Sequence, residues 1–255
     1  MLLAVDIGNT QTHIGCFEGS DLTESWRVAT DASATADELA LAISGLCELR
    51  SIDFARFDSA IVSSVVPRLA AEYSRMCERY LGGRECLVVG PSLRTGMSIR
   101  TESPHEVGAD RIVNAVAAFE RFGSACVVVD FGTAITYDAI SGAGEYLGGV
   151  IAPGIEISIE ALASKAAKLP EIEIVKPEAV IGRNTAQSIQ AGIVYGFAGQ
   201  IDGVTRRLVN ELGDETGVVA TGGYANSIVP FCTEIDAVDD LLTLRGLLLI
   251  RERNR

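Results

Sequence analysis

The sequence predicts an α/β protein of two lobes, each built on a strand hairpin followed by further strands and helices. The first observation behind this is a repeat. Residues 1–15, MLLAVDIGNTQTHIG, and residues 126–149, CVVVDFGTAITYDAISGAGEYLGG, each give an apolar strand that ends in Asp, passes through Gly and Thr, and returns as a second strand. Val5-Asp6-Ile7-Gly8-Asn9-Thr10 aligns with Val129-Asp130-Phe131-Gly132-Thr133-Ala134 at an offset of 124 residues in a chain of 255. The second is the alternation of strand and helix patterns after each copy. The third is length, which allows two lobes of about 120 residues, each able to bury a core. The expected division is 1–117 with the first hairpin and 118–255 with the second, the lobes facing each other across a cleft with nucleotide between the hairpins.

The elements follow in order. Thr35-Ala36-Asp37-Glu38 is a capping box, and Leu39, Ile43, Leu46 and Leu49 form the apolar face of the helix it starts. Pro67 opens a second helix with Leu69, Tyr73, Met76 and Tyr80 as its stripe, and Gly82-Gly83 ends it. Strands are expected at 59–66 and 86–89, and a helix at 106–122. The second half predicts strands at 127–130, 136–140 and 148–151, helices at 155–168 and Thr185–Leu212, then a strand at 218–220 and a helix at 241–253. Gly192, Gly196, Gly199 and Gly203 fall on one face of the long helix. Each Gly costs up to about 1 kcal/mol relative to Ala, so the stripe asks for a close backbone neighbour. That neighbour is either the chain's own sheet or the same helix of a second copy.

Composition removes several functional classes. The net charge is −13 and the pI about 4.6, with 18 Arg but only Lys165, Lys168 and Lys176 as lysines. An acidic chain without a basic run is a poor partner for nucleic acid or an anionic membrane. No apolar run approaches the roughly 18 residues of a membrane span, and Asp6 falls too early for a secretory signal. Cys16, Cys47, Cys77, Cys86, Cys126 and Cys232 are scattered without a C-x-x-C pair, which reads as buried reduced thiols and a cytoplasmic location. There is no G-x-x-x-x-G-K-[ST] and no protein-kinase signature. His13 and His105 are the only histidines, so a His-based triad or His-ligated zinc is not expected, and both are assigned surface or turn roles.

Carboxylates, Arg, Thr and backbone amides are left to carry the chemistry. A Gly two residues after the Asp lets N–H groups approach a phosphate. Asn9, Thr10 and Thr12 add donors in the first copy, Thr133 and Thr136 in the second. Asp6 and Asp130 would repel phosphate directly, so they imply intervening cations; the plainer alternative is Asp as a turn residue. Val107-Gly108-Ala109-Asp110-Arg111 follows Pro104 at a helix start. Asp110 can take a proton from a hydroxyl while Arg111 holds a carboxylate, or Asp110 simply complements the helix dipole. Gly148-Gly149 with Ala152-Pro153-Gly154 forms either a phosphate or substrate wall or turn punctuation. Thr221-Gly222-Gly223 offers a flat backbone for an adenine ring or a strand-to-helix turn.

With these motifs in hand, the chain resembles type III pantothenate kinases, within the acetate and sugar kinase, actin and heat-shock chaperone ATPase superfamily. The resemblance runs over nearly the whole chain: Asp6-Ile7-Gly8-Asn9-Thr10, Gly108-Ala109-Asp110-Arg111, Asp130-Phe131-Gly132-Thr133-Ala134, Leu147-Gly148-Gly149 through Pro153-Gly154, Gly182-Arg183-Asn184-Thr185 and Thr221-Gly222-Gly223. It implies a two-lobed actin-like ATPase fold and ATP-dependent phosphorylation of the terminal hydroxyl of pantothenate, the first step towards coenzyme A. It further implies that Asp6, Ile7, Gly8, Asn9, Thr10, Gln11, Thr12 and His13 line the ATP phosphates and that Thr133 contacts ATP. Gly108, Ala109, Asp110 and Arg111 would bind pantothenate, with Asp110 as base, and Thr185 would reach it across a homodimer interface. Asp130 would hold potassium or ammonium, and magnesium would accompany ATP.

One departure stands out: Thr101 occupies a position where members of the family commonly carry an aromatic residue, typically Tyr. Two other readings use the same hairpins, a non-catalytic ATP-binding regulator and a kinase or phosphatase acting on sugars or polyphosphate. The regulator has no need of Asp110 and Arg111, and the others usually carry larger insertions than this compact chain.

Overall fold

The computed structural model describes residues 1–165, 173–213 and 215–255. It resolves into two compact units, Met1–Met97 with Ser103–Ala117 and Thr243–Arg255, and Ser98–Glu102 with Ala118–Leu242. Compared with the sequential division 1–117 and 118–255, residues 98–102 and 243–255 change sides.

The first unit opens with β1 (Leu2–Ile7), β2 (Gln11–Glu18) and β3 (Asp21–Ala29), then α1 (Ala36–Leu49), β4 (Ser59–Ser64), α2 (Pro67–Tyr80) and β5 (Cys86–Val88). The sheet order is β3-β2-β1-β4-β5; the first three strands are antiparallel neighbours, while β4 runs parallel to β1 and β5 parallel to β4. Alternation along β1 sends Leu3, Val5 and Ile7 into a core with Val62, Ile43, Leu69, Tyr73 and Met76. Leu2, Ala4 and Asp6 therefore face the other side.

The capping box of α1 forms as expected: the Thr35 hydroxyl accepts from Glu38 N–H and the Glu38 carboxylate accepts from Thr35 N–H. Its last stripe residue, Leu49, is 80% exposed: the buried face of α1 is Ala36, Ala40, Ile43 and Cys47, and Leu49 lies on the other side of the helix from Cys47. Tyr80 also leaves its stripe, donating its hydroxyl to Asp37 at 2.7 Å from the surface. Gly82 and Gly83 end α2 at φ +70° and +69°, a region that disfavours any side chain.

The chain continues through β6 (Ser98–Ile99), α3 (Ala109–Phe122), β7 (Cys126–Phe131), β8 (Ala134–Ile140), β9 (Glu145–Pro153), α4 (Ile155–Lys165), α5 (Thr185–Leu212), β10 (Gly217–Thr221), α6 (Ala225–Ile228), β11 (Ala237–Val238) and α7 (Leu242–Glu252). The second sheet has the order β11-β10-β7-β8-β9-β6. Its pairings repeat those of the first: β7 and β8 antiparallel, β8 and β9 antiparallel, β10 parallel to β7, β11 parallel to β10. The duplicated hairpin thus belongs to a duplicated sheet, with β6 added parallel to β9. Val127, Val129 and Phe131 of β7 pack with Tyr137 and with Val194, Phe197 and Ile201 of α5.

Several elements differ from the sequence reading. β3 is an additional edge strand, and β9 runs from Glu145, so Gly148 (φ +124°) and Gly149 lie within a strand and do not mark a turn. α3 begins at Ala109, after a short 3₁₀ turn at Pro104–Glu106. Residues 166–168 of the expected 155–168 helix lie outside the described residues. The glycine face of α5 is open: a Cβ at Gly192, Gly196 or Gly199 would meet nothing within 4 Å, and one at Gly203 would find only the Arg207 guanidinium at 3.5 Å. Packing of that stripe against the chain's own sheet is therefore overturned.

α7 closes the first unit. Leu244 reaches the place of a Cβ on Gly15 (2.8 Å), and Thr243 donates to Asn114 at 2.7 Å in a buried bond between α7 and α3. Gly246 lies directly against the Val113 backbone carbonyl, where a Cβ has no room. Gly246→Ala is accordingly expected to destabilise the protein by about 1–3 kcal/mol, the usual range for overpacking, read as a lower urea midpoint at unchanged slope.

Candidate functional site

At the first hairpin, Gly8 donates its N–H to the Gln11 carbonyl at 3.0 Å, and a Cβ on Gly8 would come within 2.9 Å of that oxygen. Only glycine lets the turn close this tightly. Asn9, Thr10 and Gln11 are exposed on the turn, while Ile7 and Thr12 are buried beneath it. Thr12 Oγ1 shares a hydrogen bond with Thr30 Oγ1 at 2.9 Å, and Thr30 N–H donates to the Thr10 carbonyl at 2.9 Å, tying the turn to the end of β3.

Register aligns a polar row across the sheet. Asp6 stands opposite His13 on β2 and Ser63 on β4, and His13 stands opposite Arg27 on β3. Same-register neighbours point to one face, so these four side chains share the face away from the Leu3–Val5–Ile7 core. His13 is only 8% exposed, which corrects the expectation of a surface role; His105, by contrast, is exposed in the 3₁₀ turn.

Gly108 to Arg111 lie in the same unit, at the start of α3. The Gly108 carbonyl accepts from Ile112 N–H at 3.3 Å, and the Asp110 carboxylate folds back to accept from Arg111 N–H at 2.9 Å. It folds so far that a Cβ on Gly108 would collide with Asp110 Oδ1. The glycine makes the space that the carboxylate occupies. Burial pushes the Asp110 pKa above the ordinary carboxylate value, against the Arg111 N–H and guanidinium, which pull it down. The group is a carboxylate whose ionised form is held at some cost, the condition that strengthens a base.

The second unit holds Asp130, Thr133 and Thr185. Gly132 and Thr133 are exposed on the second turn, and Gly154 packs against the Thr133 carbonyl so closely that no Cβ fits. Asp130 stands in register between Thr136 of β8 and Thr221 of β10. Gly222, at φ +96°, brings the backbone after β10 onto the same carboxylate, with the place of its Cβ 2.6 Å from Asp130 Oδ1. Behind it lies a fully buried carboxylate, Asp138, which accepts from Tyr146 Oη at 2.7 Å and from Thr136 Oγ1 at 3.3 Å. Thr185 is the exposed first residue of α5, capped by Asn184, whose side chain accepts from Gln187 N–H at 2.9 Å. Gly182 folds against Ser188 N–H at that helix start.

The predicted residues thus gather as Asp6–His13 and Gly108–Arg111 within the first unit, and as Asp130 with Thr133 in one hairpin and Thr185 apart on α5 in the second. The sequence reading misses Ser63 and Arg27, which only strand register brings beside Asp6 and His13; it names Thr136 and Gly222, but not as neighbours of Asp130. Among the described residues, no group of three or more His, Cys, Asp or Glu side chains is arranged to hold a metal, and no helix is long and apolar enough to cross a membrane.

Comparison with known proteins adds a family. A model of type III pantothenate kinases matches residues 2–207. The type III pantothenate kinase of Anaeromyxobacter dehalogenans (strain 2CP-C) is 51% identical over 255 residues, covering 100% of both chains. That of Moorella thermoacetica is 50% identical over 254 residues, again over 100% of both. Among solved structures, component A of the (R)-2-hydroxyglutaryl-CoA dehydratase of Acidaminococcus fermentans superposes with a TM-score of 0.55 at 15% identity, over 100% of this chain and 99% of that one. The ROK hexokinase of Thermus thermophilus gives 0.52 at 15%, over 100% and 99%. At such identities the structures speak to fold alone, and it is the actin-like ATPase fold that the duplicated sheets describe.

The Asp110 environment has a measurable consequence. A folded-state pKa above the unfolded one means that the native state binds the proton more tightly. The stability this gives is complete below the ordinary value of 3.8 and is lost as pH rises through the folded pKa. Asp110→Asn is therefore expected to be at least as stable as the parent at neutral pH in urea unfolding, with the advantage gone in strong acid. Carboxyl-carbon NMR should find Asp110 titrating above 3.8.

Proposed function

The chain belongs to the type III pantothenate kinase family, and on that premise we propose how its residues carry out the reaction. The enzyme transfers the γ-phosphoryl group of ATP to the terminal hydroxyl of pantothenate, giving 4'-phosphopantothenate and ADP, the first step of coenzyme A biosynthesis.

In this reading Asp110 accepts the hydroxyl proton as the oxygen attacks phosphorus, and Arg111 holds the pantothenate carboxylate as a bidentate clamp. The observation that carries it is the Asp110 carboxylate folded over Gly108, raised in pKa by burial yet kept oriented by the Arg111 N–H. General-base help of this kind is worth about 10²–10⁴-fold. The presence of both Asp110 and Arg111 favours the enzyme over a non-catalytic regulator of the same fold.

Residues Asp6 to His13 cradle the ATP phosphates through the exposed turn amides and the Asn9, Thr10 and Gln11 side chains, with Thr133 contacting ATP from the second hairpin. Magnesium neutralises phosphate charge when bound. Asp6, a hard carboxylate at the end of β1 beside the exposed turn, is the residue that would face such an ion. Asp130 is assigned the monovalent cation, potassium or ammonium. Its carboxylate, the Thr136 and Thr221 hydroxyls in register and the Gly222 backbone are hard oxygen donors of the kind such an ion takes.

A homodimer completes the proposal. The open Gly192–Gly196–Gly199 face of α5 and the exposed Leu147, Val150 and Ile151 of β9 support self-association, with Thr185 reaching pantothenate from the partner copy. The six free thiols support a cytoplasmic location.

Asp110→Asn is expected to abolish ADP release while ATP still binds with near-parental affinity; turnover at the parental rate would remove the base assignment. Turnover that needs pantothenate and rises with potassium would agree with Asp110 and Asp130 in their roles. Gly196→Leu should shift the sedimentation coefficient towards monomer with helicity retained.

A further inference from the structure

One carboxylate of the second unit has no part in the chemistry assigned above. Asp138 is fully buried on β8, two residues beyond Thr136, so both side chains stand on the sheet face that carries Asp130. Two hydroxyls engage its two oxygens: Tyr146 Oη donates to Oδ1 at 2.7 Å, and Thr136 Oγ1 donates to Oδ2 at 3.3 Å. Burying a carboxylate is expensive, so its place here asks for a reason. The reason lies in the proton of the Thr136 hydroxyl. Threonine offers a single O–H donor and two lone pairs. With the proton given to Asp138, only lone pairs are left for the Asp130 side of the strand pair. An ionised Asp130 is itself an acceptor, so across the register pair an acceptor faces an acceptor. A cation between them relieves that repulsion and offsets the like charge of the two carboxylates.

We propose that Asp138 is a positioning residue for the monovalent cation: it holds the Thr136 hydroxyl turned so that a lone pair, and not a proton, faces the ion beside Asp130. The inference rests on the assignment of potassium or ammonium to Asp130. It makes Thr136 a ligand whose orientation is set from behind, as outer partners orient the groups that bind a metal. A Thr136 hydroxyl released from Asp138 would turn its proton to Asp130 and close the gap with an ordinary hydrogen bond. Tyr146 occupies the other oxygen of Asp138, so the carboxylate is pinned from both sides.

The test titrates thallium(I), a potassium-sized ion, into the intact protein and follows binding by calorimetry. Asp138→Asn keeps the shape but reverses one edge: its carbonyl stays with Tyr146, and its amide donates to Thr136 and turns that proton towards Asp130. Thallium affinity is expected to fall about tenfold or more, the scale of a lost hydrogen bond to a charged group. Thr136→Val should reproduce the loss, while Thr136→Ser, which keeps the hydroxyl, should bind. Tyr146→Phe leaves the Thr136 bond in place and should bind near the parental value. Adding Tyr146→Phe to Asp138→Asn frees the amide to turn its oxygen to Thr136 and should restore affinity, a rescue that a purely structural Asp138 would not give. Parental binding by Asp138→Asn or by Thr136→Val would overturn the proposal, and so would a double variant weaker than Asp138→Asn. The Thr136 variants decide the question where Asp138→Asn does not fold. Asp130→Asn separates the two readings. If it binds thallium like the parent, the cation assignment itself is wrong; if it loses binding while Asp138→Asn keeps it, only the role of Asp138 falls.

Discussion

A carboxylate at the end of the first strand of a hairpin is the constraint around which both halves of this chain are arranged. An acidic side chain in a sheet that is otherwise apolar is costly unless polar groups surround it. The structure meets that cost twice by the same means. Asp6 lies in register between Ser63 and His13, and Asp130 between Thr221 and Thr136. In each case one neighbour comes from the hairpin partner and the other from a parallel strand that arrives later in the chain. The hairpin alone cannot complete the environment, so the crossover that delivers the parallel strand is as necessary as the motif itself.

Glycine supplies the second requirement, close approach, and it does so differently at each place. Gly8 admits a carbonyl, Gly108 a carboxylate, Gly154 the back of a turn and Gly222 the flank of Asp130. At Gly8, Gly154 and Gly222 a methyl group would run into backbone, and at Gly108 it would displace the Asp110 carboxylate. The α5 glycines are of another kind, since nothing of this chain approaches them. The two glycine sets therefore have opposite surroundings, which only their three-dimensional neighbours disclose.

This difference marks what the sequence could disclose. Signals carried by adjacent residues were legible: the repeat, the Thr35 capping box, Pro67 at a helix start and the full extent of Thr185–Leu212. Properties decided by distant residues were not. β3 is an edge strand in which Glu24 and Ser25 interrupt the apolar pattern, so its periodicity is faint. His13 is buried because a sheet and helices cover it, which no local pattern announces. Within the site, the identities of Asp110 and Arg111 were legible from Gly-Ala-Asp-Arg. The folding of that carboxylate over Gly108, and the burial that alters its acidity, depend on elements far along the chain.

The return of α7 to the first unit bears on the order in which the molecule can be made. Its contacts with Gly15, Val113 and Asn114 cover the sheet face that carries Asp6. A ribosome releases residues 243–255 only after the whole second unit has emerged. Until then that face of the first sheet lacks α7, while the second unit already has every strand it needs. The newly made first unit waits, partly uncovered, for the tail of the chain, and during that interval it is the half exposed to chaperones and proteases.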